Sequence, residues 1–324
     1  MNEKKPLIIL AGPTAVGKTS LSIRLAHAVG GEIVSADSMQ VYRHMDIGSA
    51  KIRPEEQEGI PHYLIDCLEP EEPFHVAAFQ KLAREAMERI WENGHIPIVT
   101  GGTGFYIRAL VYDTDFTEEP SAPRIRKELE NLAKEQGPEA LHEELAKVDA
   151  ASAKAIHPHN VKRVVRALEY YRLNGKPISL HNEEERKKAS PYQFAYFVLN
   201  DERSHLYERI DRRVDQMMEQ GLLEEVKRLK DRGLSRDMVS MQGLGYKELL
   251  AYLDGECTLE EAVRILKRDT RHFAKRQLTW FKREEDVIWI FRPDYNYDEE
   301  AELAAVLECL REKGIIEMKN KETR

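Results

Sequence analysis

The chain has 324 residues, of which 42% are hydrophobic and 33% charged, and its formal net charge at pH 7 is −8. This composition is that of an ordinary globular protein with one large domain or two modest ones. The negative balance argues against nucleic-acid binding over the whole surface but allows a local basic face. No stretch approaches the roughly 18 apolar residues of a membrane span, and the start leads into a strand rather than a signal peptide. We therefore expect a cytoplasmic protein that contacts no membrane.

The three cysteines, Cys67, Cys257 and Cys309, lie far apart in the sequence and form no Cys-x-x-Cys pair. A disulfide framework or a zinc finger is therefore not expected. We predict that all three are small buried hydrophobic residues, in a protein that binds no zinc.

The first predicted strand, 7–11, leads into a loop with glycine at both ends and then into a helix. Such glycines let backbone N–H groups turn inward around an anion, and the helix N-terminus adds its dipole and free donors. Lysine at the end of the loop supplies a charge, and the threonine after it can bind Mg²⁺. The pattern predicts a phosphate-binding loop, which most often holds ATP or GTP, in an α/β fold like that of the P-loop NTPases. Its residues are Gly12, Pro13, Thr14, Ala15, Val16, Gly17, Lys18 and Thr19.

A short second strand, 32–35, is followed by Asp37. The carboxyl ends of neighbouring parallel strands face the same crevice, so we expect Asp37 near the phosphate-binding loop, as a base or a metal partner. The alternative is a turn residue whose side chain bonds its own backbone.

Two more strands are predicted at 63–66 and 96–100, with a helix at about 75–93 between them. The second of these strands ends in the glycine-rich turn 101–104, where many phosphate-loop ATPases place an Asp. Glycines at this point indicate that backbone approaches a ligand closely, rather than machinery for hydrolysis.

Between residues 115 and 190 the composition shifts to Glu, Lys, Ala and Leu, with apolar residues at helical spacing. We predict an all-helical insertion domain at 116–189, within an α/β core domain formed by 1–115 and 190–324. Three cations stand close together in the insertion, Lys162, Arg163 and Arg166.

The chain is predicted to return to the sheet at 194–199 and 287–291, so the fold class is α/β with a mostly parallel sheet flanked by helices. A helix at 206–220 carries Arg209 and Arg213 four residues apart on one face. A later helix, to residue 283, carries eight cations from Arg264 to Arg283 against Asp269 alone. A solvated helix face normally mixes both signs of charge, so this helix predicts an anion-binding face.

Five segments together closely resemble the bacterial tRNA dimethylallyltransferase family. The block after Asp37 carries most of the specificity, because it has no reason to recur in a generic kinase. The resemblance runs from about residue 7 to about residue 281. The segments are 12–19, 37–51, 101–104 with Tyr106, 162–169 and 243–246.

The resemblance implies transfer of a dimethylallyl group from dimethylallyl diphosphate to N6 of adenosine 37, beside the anticodon of a tRNA. Lys18, Arg209 and Arg213, with Mg²⁺ on Thr19, would stabilise the leaving diphosphate. Asp37 would accept a proton from N6 as the new bond forms.

The resemblance also implies where a tRNA anticodon stem-loop would bind, with its target base flipped out of the stack. Around that base we expect Asp37, Ser38, Met39, Gln40, Thr103, Gln242, Gly243, Leu244, Gly245, Tyr246 and Lys247. Against the loop backbone we expect Arg126, Lys162, Arg163, Val164, Val165 and Arg166. For Arg126, an exposed helical arginine without a partner explains the sequence nearly as well. The expected assembly state is a monomer.

Three alternatives stay open. A small-molecule or nucleotide kinase would use the same loop, but the missing Asp at the strand end weakens it. A non-catalytic RNA-binding protein would use the basic helix and leave Asp37 unexplained. A related adenylate isopentenyltransferase modifies a free nucleotide, whose few phosphates give the insertion and the basic helix little to hold.

Overall fold

The computed structural model describes residues 4–115 and 123–317. The chain forms two compact units, one made of Met1–Leu110 with Pro191–Arg324 and the other of Val111–Ser190. We call them the core unit and the helical unit. The insertion predicted at 116–189 falls within the bounds of the helical unit.

The core unit contains a six-stranded sheet of order β3-β2-β4-β1-β5-β6, and every strand pair in it is parallel. The central strand β1 is an unbroken apolar run because both of its faces are covered. The prediction of a mostly parallel α/β sheet flanked by helices is confirmed. The strands are β1 (Pro6–Ala11), β2 (Gly31–Ser35), β3 (His62–Tyr63), β4 (Ile96–Gly101), β5 (Gln193–Asn200) and β6 (Val287–Phe291).

Two details of the predicted elements are wrong. The strand expected at 63–66 covers only β3, because Leu64 and Asp66 adopt positive φ angles of 63° and 53°, which end the extended run. Cys67, in the loop that follows, is exposed, and Cys257 and Cys309 are partly exposed, so the cysteines are not the buried residues expected. No helix in the described part of the chain is long and apolar enough to cross a membrane.

The first part of the core unit, which ends at Leu110, contains helices α1 (Lys18–Val29) and α2 (Val76–Glu92). Helix α3 (Gly104–Val111) begins near its end. Helix α1 follows the phosphate-binding loop directly and packs on β1, β2 and β4. Helix α3 follows the second glycine-rich turn. Both glycine-rich turns therefore lie at the carboxyl ends of neighbouring strands, β1 and β4.

The helical unit packs its helices around a small core that includes Leu129, Leu141, Leu145 and Val164. The buried side chain of Asp149 begins α6 by accepting a hydrogen bond from the Ser152 N–H and also accepts one from the Ser179 N–H at the start of α8. One carboxylate thus ties two short helices together. The helices are α4 (Pro123–Gln136), α5 (Pro138–Val148), α6 (Ala150–Ala155), α7 (Val161–Asn174) and α8 (Ile178–Arg186).

After β5 the core unit continues with five helices. Helix α12 is the predicted basic helix, and it packs against α9 and α11. Its apolar stripe, which includes Ala262, Leu266 and Phe281, is buried. The helices are α9 (Arg203–Glu219), α10 (Leu222–Asp231), α11 (Tyr246–Leu253), α12 (Leu259–Phe281) and α13 (Glu299–Glu312).

The C-terminal part of the chain holds the phosphate-binding loop in place through Arg292. A 3₁₀ turn, Arg292–Tyr295, follows β6 and buries the Arg292 side chain. Its Nη1 donates to the Val16 carbonyl oxygen at 2.9 Å, and its Nε donates to Glu302 Oε1 of α13 at 2.8 Å. The shape of the N-terminal loop therefore depends on residues from the last strand and helix.

We expect Arg292→Met to lower the free energy of unfolding of the core unit by about 3–5 kcal/mol, because it leaves the Glu302 carboxylate buried without its partner. All three tryptophans, Trp91, Trp280 and Trp289, belong to the core unit, so urea unfolding followed by tryptophan fluorescence measures the effect. The matched control is Lys313→Met on an exposed cation, for which a change within about 0.5 kcal/mol is expected. Equal effects of the two substitutions would contradict this account.

Candidate active site

The last residue of the phosphate-binding loop before α1 has a backbone conformation that only glycine adopts without strain. Gly17 has a φ of 109°, and a Cβ atom there would lie 2.6 Å from the Arg292 guanidinium. Glycine at this point is required both by the backbone angle and by the buried arginine. The loop then delivers Lys18 and Thr19 to the N-terminus of α1.

Lys18 folds over the loop that carries it. Its Nζ donates to the carbonyl oxygens of Gly12 at 3.0 Å and Pro13 at 2.8 Å. Burial, and next the charge of Arg213, lower the pKa of Lys18 from 10.5 to about 8, against the opposing influence of Asp37. A bound anion would stabilise the ammonium form and raise this pKa again.

Three arginines of α9 face Lys18 across an open cavity of about 410 Å³. Burial is the main cause of the lowered pKa of Arg213; the charge of Asp37 opposes this shift, and the charge of Arg209 adds to it. No acidic residue lines this cavity among the described residues, so its positive charges have no counter-ion within the cavity wall. The arrangement suits a polyanion such as a diphosphate. The lining residues are Ala15, Gly17, Lys18, Thr19, Arg209, Arg212, Arg213 and Gln216.

Sequence reasoning identified Arg209 and Arg213 in this cavity but missed Arg212. The Arg209 Nε is oriented by the Ala15 carbonyl oxygen, to which it donates at 2.7 Å. Arg212 could have been found from the same helical pattern, since it lies three residues after Arg209 and next to Arg213.

A second cavity of about 400 Å³ adjoins the first, and Ala15 and Arg213 line both. Much of its apolar lining comes from side chains of α9 and α12. The rest of the lining includes polar side chains and the backbone of two turns. The apolar residues include Ile210, Val214, Met217, Leu266 and Phe273; the polar side includes Asp37, Ser38, Thr103, Gln242 and Lys247, together with Met39, Gly243, Leu244 and Gly245.

Asp37 is a turn cap that keeps one carboxylate oxygen without a hydrogen bond to the described residues. Its Oδ1 accepts a hydrogen bond from the Met39 N–H at 2.8 Å, which makes the residue a turn cap. Its Oδ2 makes no hydrogen bond to any residue in 4–115 or 123–317, and the side chain lines the second cavity. The cap fixes the orientation of the carboxylate and leaves one oxygen able to accept a proton.

Gln277 of α12 joins the two glycine-rich turns, and the sequence analysis did not identify it. Its Oε1 accepts from the Thr14 N–H at 2.9 Å, and its Nε2 donates to the Gly102 carbonyl oxygen at 3.0 Å. A Cβ atom on Gly102 would lie 2.1 Å from that Nε2, which explains the glycine. The one signal in the sequence is a polar residue at a helical position that shares a face with Phe281 of the apolar stripe.

Two residues expected around the target base have internal partners instead. The Gln40 side chain accepts from the Ser35 hydroxyl and points its amide to the carbonyl oxygens of Ser49 and Ala50. Tyr246 is fully buried. Neither is among the described residues that line the second cavity, so we expect both to support its lining residues rather than to contact a ligand.

In the helical unit, the cations of α7 are exposed to solvent and its valines are buried. Val164 and Val165 are 0% and 3% exposed in the core of that unit, so their side chains have no access to a partner, whereas Lys162 and Arg163 are exposed. The Arg126 Nη2 of α4 donates to Glu169 Oε2 of α7 at 2.7 Å. Arg126 therefore has a structural partner, and its exposed guanidinium lies beside the α7 cations.

The basic face of α12 is smaller than the sequence predicted. Lys267 and Arg271 pair with Asp215 and Asp211 of α9, at 2.6 Å and 2.5 Å. The cations near the C-terminal end make no ion pair within 4–115 and 123–317. They are Lys275, Arg276, Lys282 and Arg283.

Residues 40–284 match the sequence profile of a family described as IPP transferase. The chain belongs to the IPP transferase family. This family member is 60% identical, over 312 residues, to the tRNA dimethylallyltransferase of Lachnoclostridium phytofermentans, and the alignment covers 96% of this chain and 99% of the relative. The resemblance found in the sequence is thereby confirmed.

Solved structures place the chain among IPP transferases as well. It matches the crystal structure of a tRNA isopentenylpyrophosphate transferase from Bacillus halodurans with a TM-score of 0.72 and 45% identity, over 96% of this chain and 98% of that one. It also matches a eukaryotic dimethylallyltransferase acting on tRNA, with a TM-score of 0.82 and 30% identity, over 98% of this chain and 81% of that one.

We expect inorganic diphosphate to bind less tightly as pH rises through about 8, the pKa of Lys18 in the free protein. Above that pH the neutral amine of Lys18 must first take up a proton, so log Kd should rise by up to about one per pH unit from this group. Titration calorimetry of the wild type and Lys18→Met isolates this contribution from the ionisation of diphosphate itself. The variant should bind more weakly at neutral pH and show a shallower pH dependence; the same slope in both proteins would contradict the assignment.

Proposed function

We propose that this chain transfers a dimethylallyl group from dimethylallyl diphosphate to N6 of adenosine 37 in tRNA and releases diphosphate. The observation that carries the proposal is that the two adjoining cavities place a cationic surface next to an apolar one. A cationic cradle leads past Arg213 into an apolar wall, and Asp37 faces the same space. The names of the relatives, tRNA dimethylallyltransferase and tRNA isopentenylpyrophosphate transferase, agree with this activity.

The first cavity would hold the diphosphate. As the C–O bond of the substrate breaks, its electron pair goes to the diphosphate oxygen, and Lys18, Arg209 and Arg213 stabilise the added negative charge. These cations repel one another while no anion is bound, which favours the charged leaving group. The same loop that serves nucleotides in other proteins would here hold an isoprenoid diphosphate.

Thr19 fits a role as a ligand of Mg²⁺. Its side chain lines the first cavity, and its hydroxyl makes no hydrogen bond to a described residue. No group of three or more His, Cys, Asp or Glu side chains within 4–115 and 123–317 could hold a metal, so phosphate oxygens and water would supply the other ligands. When bound, Mg²⁺ would neutralise charge on the diphosphate.

The apolar wall would hold the five-carbon group. Ile210 and Val214 of α9 and Phe273 of α12 exclude water from the carbon that loses diphosphate, which protects it from hydrolysis. The new bond forms between that carbon and N6 of the adenine. The proton that N6 loses passes to Asp37, whose free Oδ2 faces the cavity.

The polar side of the second cavity would receive the flipped adenine. Ser38 and Thr103 supply hydroxyl groups and Gln242 an amide, which can hydrogen-bond to base edges. The exposed cations of the helical unit, Lys162 and Arg163, would hold phosphates of the anticodon arm. We propose that the protein acts as a monomer on tRNA in the cytoplasm.

The test of the function is a transfer assay with purified protein, Mg²⁺, radiolabelled dimethylallyl diphosphate and an anticodon stem-loop that carries adenosine or guanosine at position 37. Label should enter the adenosine stem-loop alone. Asp37→Asn should lower kcat by about 10²–10⁴-fold while stem-loop binding is kept, because the amide cannot accept the proton. Transfer to free AMP, or consumption of ATP without transfer, would overturn the proposal.

The role of the α7 cations predicts a specific salt dependence. Lys162→Ala should weaken stem-loop binding and reduce the slope of log K against log salt concentration by about 1, because one phosphate contact is lost. Lys134→Ala, which removes an exposed cation from α4 of the same unit, is the matched control and should leave the slope unchanged. Fluorescence anisotropy of a labelled stem-loop at several salt concentrations measures both. Parallel loss in both variants would show only a general charge effect.

A further inference from the structure

Glu225 of α10 is a buried carboxylate that holds a distant turn of the chain. It is 2% exposed. Its Oε2 accepts hydrogen bonds from the N–H groups of Asp46 at 3.0 Å and Ile47 at 2.9 Å, and its Oε1 accepts from the Gly48 N–H at 3.1 Å. These three successive amides begin the turn 46–51, whose own bonds run from Lys51 N–H back to the Asp46 carbonyl oxygen.

The same carboxylate also holds a second segment. The Tyr246 hydroxyl, at the start of α11, donates to Glu225 Oε1 at 2.8 Å. Burial, and next the charge of Glu225, raise the pKa of Tyr246 well above its usual range, so this hydroxyl stays protonated and donates. The Tyr246 ring lies against Gly48, where an added Cβ atom would come within 2.7 Å of it.

Four hydrogen bonds satisfy the Glu225 carboxylate without a cation. It makes no ion pair with any residue of 4–115 or 123–317. A buried charge in that position is stable only when donors surround it, so removing either the charge or the donors disturbs the whole cluster. The cluster consists of Glu225, Tyr246 and the amides 46–48, and we call it the carboxylate clamp.

Both segments held by the carboxylate clamp line the second cavity, and they contact each other where Gly48 meets the Tyr246 ring. Gly48 and Ser49 line it from one segment, and Gly243, Gly245 and Lys247 from the other. Glu225 and Tyr246 do not line the cavity. The clamp therefore fixes how these two parts of the cavity wall are placed relative to each other, without contacting what binds in the cavity.

We propose that Glu225 is a positioning residue, which sets the relative position of these two parts of the wall around the flipped adenine. The identity of the occupant rests on the proposed function, whereas the clamp itself does not. A misplacement of these walls moves N6 away from Asp37 and leaves the diphosphate cradle, on β1, α1 and α9, in place.

Glu225→Gln tests the inference because it keeps the size of the side chain and replaces one acceptor oxygen by a donor. At least one of the amide or hydroxyl donors then faces an NH₂ group. We expect kcat/KM for the stem-loop to fall about 100-fold, while the Kd for inorganic diphosphate stays within about twofold of the wild type. A variant that merely unfolded in part would lose diphosphate binding in the same proportion as activity.

A readout independent of activity is amide hydrogen exchange. In Glu225→Gln, the amides 46–48 should exchange faster, while those of β1 keep their protection. Gly48→Ala attacks the same contact from the other side and should reproduce both effects, which keeps the test valid if Glu225→Gln fails to fold. Glu224→Gln, on the exposed neighbour in α10, is the matched control and should change neither measurement.

The outcomes separate the two proposals. An active wild type whose Glu225→Gln and Gly48→Ala variants keep full kcat/KM for the stem-loop overturns the positioning role. An inactive wild type with faster exchange at 46–48 in Glu225→Gln overturns the transferase proposal and leaves the clamp established as a structural device. Unchanged exchange in both variants overturns the clamp.

Discussion

The repulsion between the cations around the phosphate-binding loop is the constraint on which the rest of the structure depends. Lys18 and the arginines of α9 line one cavity that no acidic residue shares among the described residues. The lowered pKa values of Lys18 and Arg213 record the cost of holding these charges together out of water. Because these cations repel one another, the loop and helix that carry them need support that is rigid and mainly uncharged.

That support comes from three sides. Arg292 holds the loop from below through the Val16 carbonyl, and its own charge is balanced by Glu302, away from the cavity. Gln277, which is neutral, connects the loop to the second glycine-rich turn. The main chain itself binds the Lys18 ammonium through two carbonyl oxygens. The backbone of the loop is therefore held in place before an anion binds, and the cations that face the cavity are carried by fixed elements.

The sequence predicted those parts of the site that depend on local pattern and on the geometry of parallel sheets. The loop 12–19 follows β1 and Asp37 follows β2, and only β4 separates these two parallel strands in the sheet. The rule that the carboxyl ends of parallel strands lie at one edge of the sheet is sufficient to predict them on the same side. Glu225 and Gln277 were missed because their partners lie far away along the chain, and a buried polar residue looks like any other in a helical pattern. Gln40 shows the converse limit: its place in a strongly specific motif reflects internal hydrogen bonds to Ser35 and Ser49.

The contact between Arg292 and Val16 also has a consequence for the order in which the molecule is made. Ribosomes deliver the N-terminus first, so β1 and its loop emerge long before β5, which flanks β1, and before the turn that carries Arg292. Until those late segments arrive, the loop lacks both its floor and the arginines that face it. A nascent chain thus carries the glycine-rich segment through most of its synthesis without a formed anion site, which is completed only when the segment after the last strand has packed against the loop.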